Sequence, residues 1–347
     1  MPAPFRVVVV GCGGISGAWL KPAAALPDLR IVGLVDLAED NARRRAAEFH
    51  LESAEVGTDL RRMLQKTQPD LVFDCTVPEA HVGVAVEAFR HGCHVLGEKP
   101  LADTMANARR MVRAAAKAGR THAVMQNRRY LPEIRRVRTF IASDQVGALT
   151  TLNCDFYIGA HFGGFRDRMR HVLLLDMAIH TFDAARLLCG GDPVSVYCKE
   201  WNPAGSWFDH DASAVAVFAM SNGLVYTYRG SWCSEGMNTA WECAWHGVGT
   251  RGSFRWDGYR DLKAQAVKAQ SAVASGSLYR PLEEVRGEPF ADSATPVGHG
   301  GAILDFLRCL REGATPETVS SDNIKSLAMV FAAIESAAKG REVRVEW

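Results

Sequence analysis

The chain has 347 residues, of which 48% are hydrophobic and 23% charged, and these values are ordinary for a globular protein with two domains. Lysine and arginine total 40 against 39 acidic residues, and a net charge of +1 argues against a nucleic acid or a membrane surface as partner. The apolar run near the N-terminus is too short for a membrane span, and the glycine turn that follows it at once is not the layout of a signal peptide. Together with the cysteine pattern described next, this predicts a cytoplasmic protein.

The nine cysteines are odd in number and scattered, and none forms a C-x-x-C pair. This pattern is typical of reduced thiols in a core, because disulfide frameworks and zinc sites use regularly spaced cysteines. We expect neither disulfides nor a bound metal ion.

The N-terminal segment has the pattern of a dinucleotide-binding unit. Phe5–Val10 is rich in β-branched residues, which predicts a parallel strand buried on both faces. The glycine turn "GCGGISG" follows, then a helical stretch from about residue 15 to 25, and then a second apolar strand, "RIVGLVD", that ends at Asp36. A strand, a glycine turn, a helix and a strand in about 30 residues are the context in which G-x-G-x-x-G binds a dinucleotide.

The residues of the turn have separate predicted roles. Gly11 permits the tight turn, and Gly13 lets the backbone approach a pyrophosphate that rests on the N–H groups at the helix start. Ser16 takes the place of the third glycine. Serine is small enough to keep the helix near the strand, but G-x-G-x-x-S alone is a weak signal.

Asp36 bears on the choice of cofactor. A carboxylate at the end of the second strand accepts hydrogen bonds from the ribose hydroxyls of NAD and repels the 2′-phosphate of NADP. Arg43, Arg44 and Arg45 would favour NADP if they faced the cofactor, but we interpret them as a solvated helix face. The sequence therefore predicts NAD, with NADP less favoured. An N-cap role for Asp36 is compatible with this.

Strands and helices continue to alternate up to residue 127. Strands are predicted at 71–75, 93–99 and 121–127, with helices at about 80–90 and 103–118, so the sheet is parallel and doubly wound. Ligands bind beyond the carboxyl ends of such strands. The residues expected to bind the cofactor are Gly11, Gly13, Gly14, Ile15, Ser16, Asp36, Thr76, Pro78, His81, Glu98, Lys99 and Asn127.

Lys99, in the segment "GEKPLAD", is the first candidate for catalysis. The alternatives are an ordinary surface lysine or a salt bridge with Glu98, but adjacent residues of an extended segment point to opposite faces. Pro100 also biases Lys99 away from a helical conformation. We expect a functional lysine where a nicotinamide ring and its substrate would meet.

Longer segments with a recognisable pattern cover nearly the whole chain: "VVVVGCGGISG", "CTVPEAH", "GCHVLGEKPLA", "MQNRRYLPEIRRVRTFI", "LLLDMAIHTFDAARLL" and "DNIKSLAMVFAAIESAAKGREV". Together they resemble the Gfo/Idh/MocA family of nicotinamide-dependent oxidoreductases, named after glucose–fructose oxidoreductase, inositol dehydrogenase and rhizopine catabolism. The E-K-P element combined with D-x-x-x-H-x-x-D is far more specific than the glycine turn.

The resemblance implies an α/β fold, with an N-terminal Rossmann doubly wound parallel sheet and a C-terminal α/β domain that has a large, mostly antiparallel open sheet. We place the NAD-binding domain at 1–127 and the substrate-binding and oligomerisation domain at 128–347, whose final helix is expected to pack back on the first domain. The resemblance also implies a homodimer or homotetramer. It assigns Lys99, Asp176 and His180 as the catalytic residues.

The segment "HVLLLDMAIHTFDAARLLCGG" predicts a buried helix that ends at glycine after Cys189. Asp176 and His180 are four residues apart and therefore share one face, as does Asp183. They form either a structural pair in the core or part of a catalytic site, and Lys99 favours the latter. His180 is assigned as general base, Asp176 as an orienting group and Lys99 as an electrostatic stabiliser or a partner in proton transfer.

The segment "AHFGGFRDRMRH" combines two glycines with histidines and arginines, which suits a loop that grips an acidic sugar, although an ordinary surface loop is an equal alternative. Most tryptophans lie in strand patterns and are interpreted as core or oligomer interface. The residues expected to bind substrate are Lys99, Arg128, Tyr130, His161, Arg166, Asp176, His180 and Trp207.

The predicted function is NAD-dependent oxidation of a secondary alcohol of a sugar, a cyclitol or a sugar derivative. An alternative is an NAD-dependent glycoside hydrolase that acts by transient oxidation, elimination, hydration and re-reduction, on an acidic or sulfonated glycoside. A third alternative is a sugar-sensing regulator without catalysis, which the presence of Lys99, Asp176 and His180 disfavours.

Overall fold

The computed structural model describes residues 3–287 and 296–347, and their contacts divide the chain into two compact units. The first unit contains residues 3–130, 296–327 and 347, and the second contains residues 131–287 and 328–346. The division therefore falls three residues after the predicted boundary at 127/128, and a C-terminal segment returns to the first unit. All nine cysteines are free, and seven of them are buried.

The first unit contains a six-stranded, fully parallel sheet in the order β3-β2-β1-β4-β5-β6, with helices between consecutive strands. This confirms the predicted doubly wound Rossmann sheet. Its elements are β1 (Phe5–Val10), α1 (Ser16–Ala25), β2 (Leu29–Val35), α2 (Glu39–Glu48), β3 (Glu55–Gly57), α3 (Leu60–Thr67), β4 (Leu71–Asp74), α4 (Pro78–Arg90), β5 (His94–Gly97), α5 (Met105–Ala118) and β6 (His122–Val124), followed by a 3₁₀ turn at Asn127–Tyr130.

Local chemistry explains most boundaries of the first unit. The buried strand β1 ends at the glycine turn, and α5 begins after Thr104, whose hydroxyl accepts a hydrogen bond from the Asn107 N–H. Helix α2 begins at Glu39 rather than at Asp36. Strand β3 and helix α3 were not predicted. Strand β3 is three residues long and only half-buried, and it therefore has no apolar run.

The second unit contains a nine-stranded sheet in the order β14-β13-β12-β11-β7-β10-β9-β8-β15, in which only the pair β7–β10 is parallel. The predicted large, mostly antiparallel sheet is thus confirmed. The elements from Leu131 to residue 287 are α6 (Pro132–Ala142), β7 (Leu149–Tyr157), a 3₁₀ turn (Arg166–Arg168), a π-helical segment (Leu173–Ala178), α7 (Ile179–Cys189), β8 (Pro193–Trp201), β9 (Ser213–Met220), β10 (Val225–Ser231), β11 (Ala244–Gly249), β12 (Gly252–Trp256), β13 (Leu262–Val267) and β14 (Leu282–Val285).

The C-terminal part of the chain contains α8 (His299–Glu312), α9 (Ser320–Lys339) and β15 (Val343–Arg344). Helix α8 belongs to the first unit, whereas β15 pairs with β8 in the second. No helix among residues 3–287 and 296–347 combines the length and the apolar character that a bilayer span requires.

Candidate active site

The glycine turn after β1 leaves an open cradle. Gly11 has φ +86°, and a Cβ at this position would lie 2.7 Å from the backbone carbonyl of Cys75, so only glycine fits between β1 and the end of β4. A Cβ on Gly13 or Gly14, in contrast, would meet no atom within 4 Å. The backbone of the turn is therefore accessible beside the start of α1, an arrangement that suits the pyrophosphate of a dinucleotide.

Arg45 of α2 is fastened to this glycine turn. Its Nε donates to Ser16 Oγ at 3.0 Å and its Nη2 donates to the carbonyl oxygen of Gly13 at 2.8 Å. Ser16 Oγ donates in turn to the same Gly13 oxygen at 2.6 Å. Gly17 makes room for the guanidinium, because a Cβ there would lie 3.2 Å from Arg45 Nη1. Ser16, at the third glycine position, thus forms part of a bracing network.

The interpretation of the three arginines as one solvated face is therefore wrong for Arg45, whose side chain is only 12% exposed. It does describe Arg43, which is 65% exposed and paired with Glu39 in its own helix. The guanidinium of Arg45 donates hydrogen bonds to backbone carbonyl oxygens of the glycine turn.

Asp36 is held at the end of β2 by three donors. Its Oδ2 accepts the N–H of Cys12 at 2.7 Å, and its Oδ1 accepts the N–H of Ala38 at 2.9 Å and Nδ2 of Asn41 at 3.2 Å. Burial raises the pKa of the Asp36 carboxyl, but these hydrogen bonds lower it more, so its pKa lies below its ordinary value. Asp36 is thus a fixed carboxylate beside the glycine turn.

Three large apolar side chains are exposed near the carboxyl ends of the neighbouring strands. Ile15 follows β1, Leu37 follows β2 and Val77 follows β4, with exposed fractions of 43%, 96% and 63%. Exposed apolar groups around a few oriented polar groups are typical of a ligand site. Leu37 was not identified from the sequence, since a single apolar residue after a strand carries no pattern.

The segment after β4 is braced by a buried carboxylate. Thr76 Oγ1 donates to Asp74 Oδ1 at 2.5 Å, and Pro78 occupies the first turn of α4. Asp74 itself is 1% exposed. The predicted cofactor residues Thr76 and Pro78 thus lie at the sheet edge that carries the glycine turn, and Thr76 is held there by its hydrogen bond to Asp74.

Glu98 holds the backbone of Lys99 in place. Its Oε2 accepts the N–H of Lys99 at 3.0 Å, and its Oε1 accepts the indole N–H of Trp19 at 2.6 Å. Burial raises the pKa of Glu98, but the approach of His299 and Trp19 and the charge of Lys99 lower it more, so its pKa lies below its ordinary value. Glu98 is 7% exposed, whereas Lys99 is half-buried at the sheet edge.

Two of these neighbours, Trp19 and His299, were not singled out from the sequence. Trp19 is completely buried in the middle of α1, and His299 is the first residue of α8, with its Nε2 3.8 Å from Glu98 Oε1. The buried glutamate of the E-K-P element was the one available signal, because a buried carboxylate requires donors that must come from elsewhere in the fold.

The 3₁₀ turn after β6 carries Asn127, Arg128 and Tyr130. Asn127 and Arg128 are half-buried, and the hydroxyl of Tyr130 donates to Asp305 Oδ2 on α8 at 2.8 Å. Tyr130 also leaves no space for a side chain at position 301, where a Cβ would lie 2.8 Å from its own Cβ. Its contacts in the first unit are therefore structural, and its predicted role in substrate binding stays a prediction.

In the second unit, Asp176 lies in the π-helical segment and His180 in the first turn of α7. The prediction that both lie on one α-helical face assumed α-helical spacing throughout, but hydrogen bonds between residues i and i+5 change the rotation per residue here. Such π-helical segments occur frequently at functional sites. His180 is 9% exposed, and α7 is buried from Ile179 to Leu188, as the apolar pattern predicted.

The loop before this helix brings Arg166 to Asp176. Nε of Arg166 lies 2.6 Å from Asp176 Oδ2, and its guanidinium also lies 5.1 Å and 4.7 Å from the ring centres of Phe162 and Phe165. Two predicted substrate residues are therefore joined in an ion pair. Phe162 and Phe165 are 49% and 64% exposed and form an apolar surface beside the Arg166–Asp176 ion pair.

A second pair of predicted substrate residues also meets in this unit. The rings of His161 and Trp207 stack at 3.6 Å, and His161 Nε2 lies 2.8 Å from Glu235 Oε1. Trp207 is half-buried, and its indole N–H is buried without a hydrogen-bond acceptor among the described residues. The stack joins the loop after β7 to the loop after β8.

Comparison with known proteins identifies the family. The family model described as "Oxidoreductase family, NAD-binding Rossmann fold" matches residues 5–126, and the model of the GFO/IDH/MocA C-terminal domain matches residues 134–255. The chain belongs to the Gfo/Idh/MocA oxidoreductase family. It is an NAD-binding oxidoreductase whose homologues include sugar and inositol dehydrogenases.

Two curated relatives and one solved structure illustrate these similarities. D-apiose dehydrogenase from Paraburkholderia graminis is 26% identical, with 99% of this chain and 90% of the relative covered. Myo-inositol 2-dehydrogenase from Thermotoga maritima is 23% identical, with 99% of each covered. A levoglucosan dehydrogenase in complex with NADH and L-sorbose has the same fold, with a TM-score of 0.82, 21% identity and coverage of 99% of this chain and 100% of that chain.

Proposed function

We propose that this protein is an NAD-dependent dehydrogenase that oxidises a secondary alcohol of a sugar, a cyclitol or a sugar derivative. The single observation that carries the proposal is the way Glu98 fixes the backbone of Lys99 at the sheet edge that also carries the glycine turn and Asp36. The dehydrogenases among the relatives act on sugars and inositol, and this supports the same substrate class here.

The preference for NAD over NADP follows from the state of two side chains. The fixed carboxylate of Asp36 retains lone pairs that can accept hydrogen bonds from the ribose hydroxyl groups, and its negative charge repels a 2′-phosphate. Arg45, which contacts the turn, donates its hydrogen bonds to Gly13 and Ser16 and is therefore not directed at a 2′-phosphate. The chemistry that NAD supplies when bound is the acceptance of a hydride.

We assign the remaining chemistry to Lys99, Asp176 and His180. As the carbinol carbon loses a hydride, the hydroxyl oxygen loses its proton, and the product is a ketone with one proton released. The imidazole of His180 accepts that proton, and the ammonium group of Lys99 donates a hydrogen bond to the oxygen and stabilises its developing negative charge. Asp176, held by Arg166, orients the substrate hydroxyl groups or the imidazole.

The test is turnover of a panel of sugars, cyclitols and aryl glycosides by the purified protein with NAD or NADP, with NADH absorbance and aglycone release followed in parallel. We expect stoichiometric NADH with at least one sugar or cyclitol, and a higher kcat/KM with NAD. Lys99→Met should abolish NADH formation and leave NAD affinity nearly unchanged. Aglycone release without net NADH would instead favour a redox-recycling glycosidase.

The homodimer or homotetramer and the cytoplasmic location stay predictions. Light scattering of the purified protein measures the first, and fractionation of the producing cell measures the second.

A further inference from the structure

We propose that His81 is a doubly protonated positioning residue that fastens the loop carrying Lys99 to the segment after β4. This role differs from the direct cofactor contact predicted from the sequence, and its catalytic consequence rests on the proposed function. His81 lies in the first turn of α4 and is 1% exposed. Its ring occupies the space between two loops at the carboxyl edge of the sheet.

Both ring nitrogens of His81 face carbonyl oxygens. Nδ1 lies 3.1 Å from the oxygen of Pro100 and 3.4 Å from that of Leu101, and Nε2 lies 3.1 Å from the oxygen of Thr76. A carbonyl oxygen only accepts hydrogen bonds, whereas a neutral imidazole has one N–H donor and one lone pair. The neutral ring would therefore set its lone pair against a carbonyl oxygen, and only the imidazolium satisfies both sides.

A buried imidazolium requires a counter-charge, and Asp74 on β4 supplies it. Asp74 is 1% exposed, and its Oδ2 accepts no hydrogen bond from any described residue. Burial, together with the charge of Glu98, raises the pKa of Asp74 above its ordinary value, although the charge of His81 and the hydrogen bonds from Thr76 act in the opposite direction. The charge of His81 therefore opposes the effect of burial and favours the carboxylate form of Asp74, and by the same interaction a carboxylate at Asp74 favours the imidazolium.

The other histidine of this cluster, His122 on β6, is neutral. Burial, assisted by the charge of His81, lowers its pKa to about 3. His81 is therefore the histidine of this cluster to which we assign the positive charge, and the carboxyl groups of Asp74 and Glu98 interact electrostatically with each other in the same cluster.

The two anchors of His81 adjoin residues of the proposed site. Thr76 precedes the exposed Val77, and Pro100 follows Lys99 directly, with a cis peptide bond between them. Glu98 holds Lys99 from its N-terminal side, and His81 holds it from its C-terminal side. Without His81 the segment loses the hydrogen bond that holds it directly after Lys99. The expected loss is in kcat, because a misplacement of about 1 Å can cost about 100-fold in rate.

The charge state is tested by NMR of the ¹⁵N-labelled full-length protein with NAD at pH 7.5. A long-range ¹H–¹⁵N spectrum identifies His81 as the ring signal that disappears in His81→Asn, with exposed His50→Asn as the matched control. We expect two protonated ring nitrogens at His81, and loss of one of these protons in Asp74→Asn. A single protonated nitrogen in the wild-type protein overturns the proposal.

Kinetics test the positioning role. His81→Asn should lower kcat about 10- to 100-fold with NAD affinity within about threefold of wild type, and His81→Lys, which keeps a charged donor, should recover part of the loss. A wild-type kcat in His81→Asn refutes positioning. If His81→Asn does not fold, His81→Gln replaces it in both measurements. If the wild-type protein oxidises no substrate of the panel, the proposed function fails, and the NMR result decides the charge of His81 independently.

Discussion

Arg166 and Asp176 are ten positions apart in the chain and form an ion pair with a distance of 2.6 Å between Nε and Oδ2. The guanidinium lies against two exposed aromatic rings, and the carboxylate lies in the π-helical segment before α7. The loop "AHFGGFRDRMRH" is therefore linked to the segment that carries Asp176 by the ion pair of Arg166.

Removal of Arg166 should lower the catalytic efficiency of the proposed reaction. In Arg166→Ala the carboxylate of Asp176 loses a charge-assisted hydrogen bond that helps to orient it, and we expect kcat/KM to fall about 10- to 100-fold. Arg168→Ala is the matched control, because Arg168 is exposed in the same loop. Equal kinetics of the two variants would contradict a role of Arg166 in orienting Asp176.

The brace formed by Arg45 should contribute to cofactor affinity. Arg45→Ala removes the hydrogen bonds that tie α2 to Gly13 and Ser16 and leaves the glycine turn less constrained, so we expect the Kd for NAD to rise about tenfold. Arg43→Ala, on the same helix but 65% exposed, should leave the Kd unchanged. Titration calorimetry with NAD measures both, and an unchanged Kd in Arg45→Ala would show that the turn keeps its shape without the guanidinium.

Asp36 should determine the choice between the two nicotinamide cofactors. Asp36→Ser removes the charge that repels a 2′-phosphate and keeps a short acceptor for the Cys12 N–H. We expect the ratio of kcat/KM for NAD to that for NADP to fall about tenfold or more. Asp40→Ser, a change of one acidic residue in the first turn of α2, is the control for net charge. An unaltered cofactor ratio in Asp36→Ser would refute this assignment.

The ion pair of His171 and Glu200 should make stability depend on pH. The hydrogen bond that His171 Nδ1 donates to Glu200 Oε2, at 2.7 Å, raises the pKa of His171 above its ordinary value, although burial acts in the opposite direction. A raised pKa in the folded state stabilises the protein below pH 6.5, and this contribution is lost as the pH rises through the raised value. We expect the Tm difference between wild type and His171→Asn to be about 2 °C at pH 6 and to shrink toward pH 9.

His50→Asn is the matched control for this pH dependence. His171 and His50 both have left-handed φ angles, 54° and 53°, which asparagine tolerates. His50 is exposed, and its approach to Glu52 at 3.9 Å lies in solvent, so His50→Asn measures how much of the Tm change comes from replacing a left-handed histidine with asparagine. A pH-independent Tm difference in His171→Asn would exclude the ion pair as the cause.

Local sequence patterns were sufficient to predict those parts of the first unit in which a strand is continuously buried or in which the backbone conformation requires a particular residue. The run of Phe5–Val10, the turn at Gly11 and the carboxylate of Asp36 are interpretable because each depends on residues within about 30 positions. The short strand β3 was not predictable, since a half-buried strand of three residues is stabilised by β2 rather than by its own pattern.

The parallel sheet, the glycine turn and a functional Lys99 were predictable from the chain alone, because periodicity and motif spacing reflect short-range constraints, whereas Asp176 and His180 were identified as catalytic candidates through the family resemblance. Only the tertiary structure decided that Arg45, among three consecutive arginines, braces the turn, and that both nitrogens of His81 face carbonyl oxygens. Consecutive helical residues point in different directions, and the surroundings of a buried ring come from distant strands and loops. No local pattern encodes which of them meet.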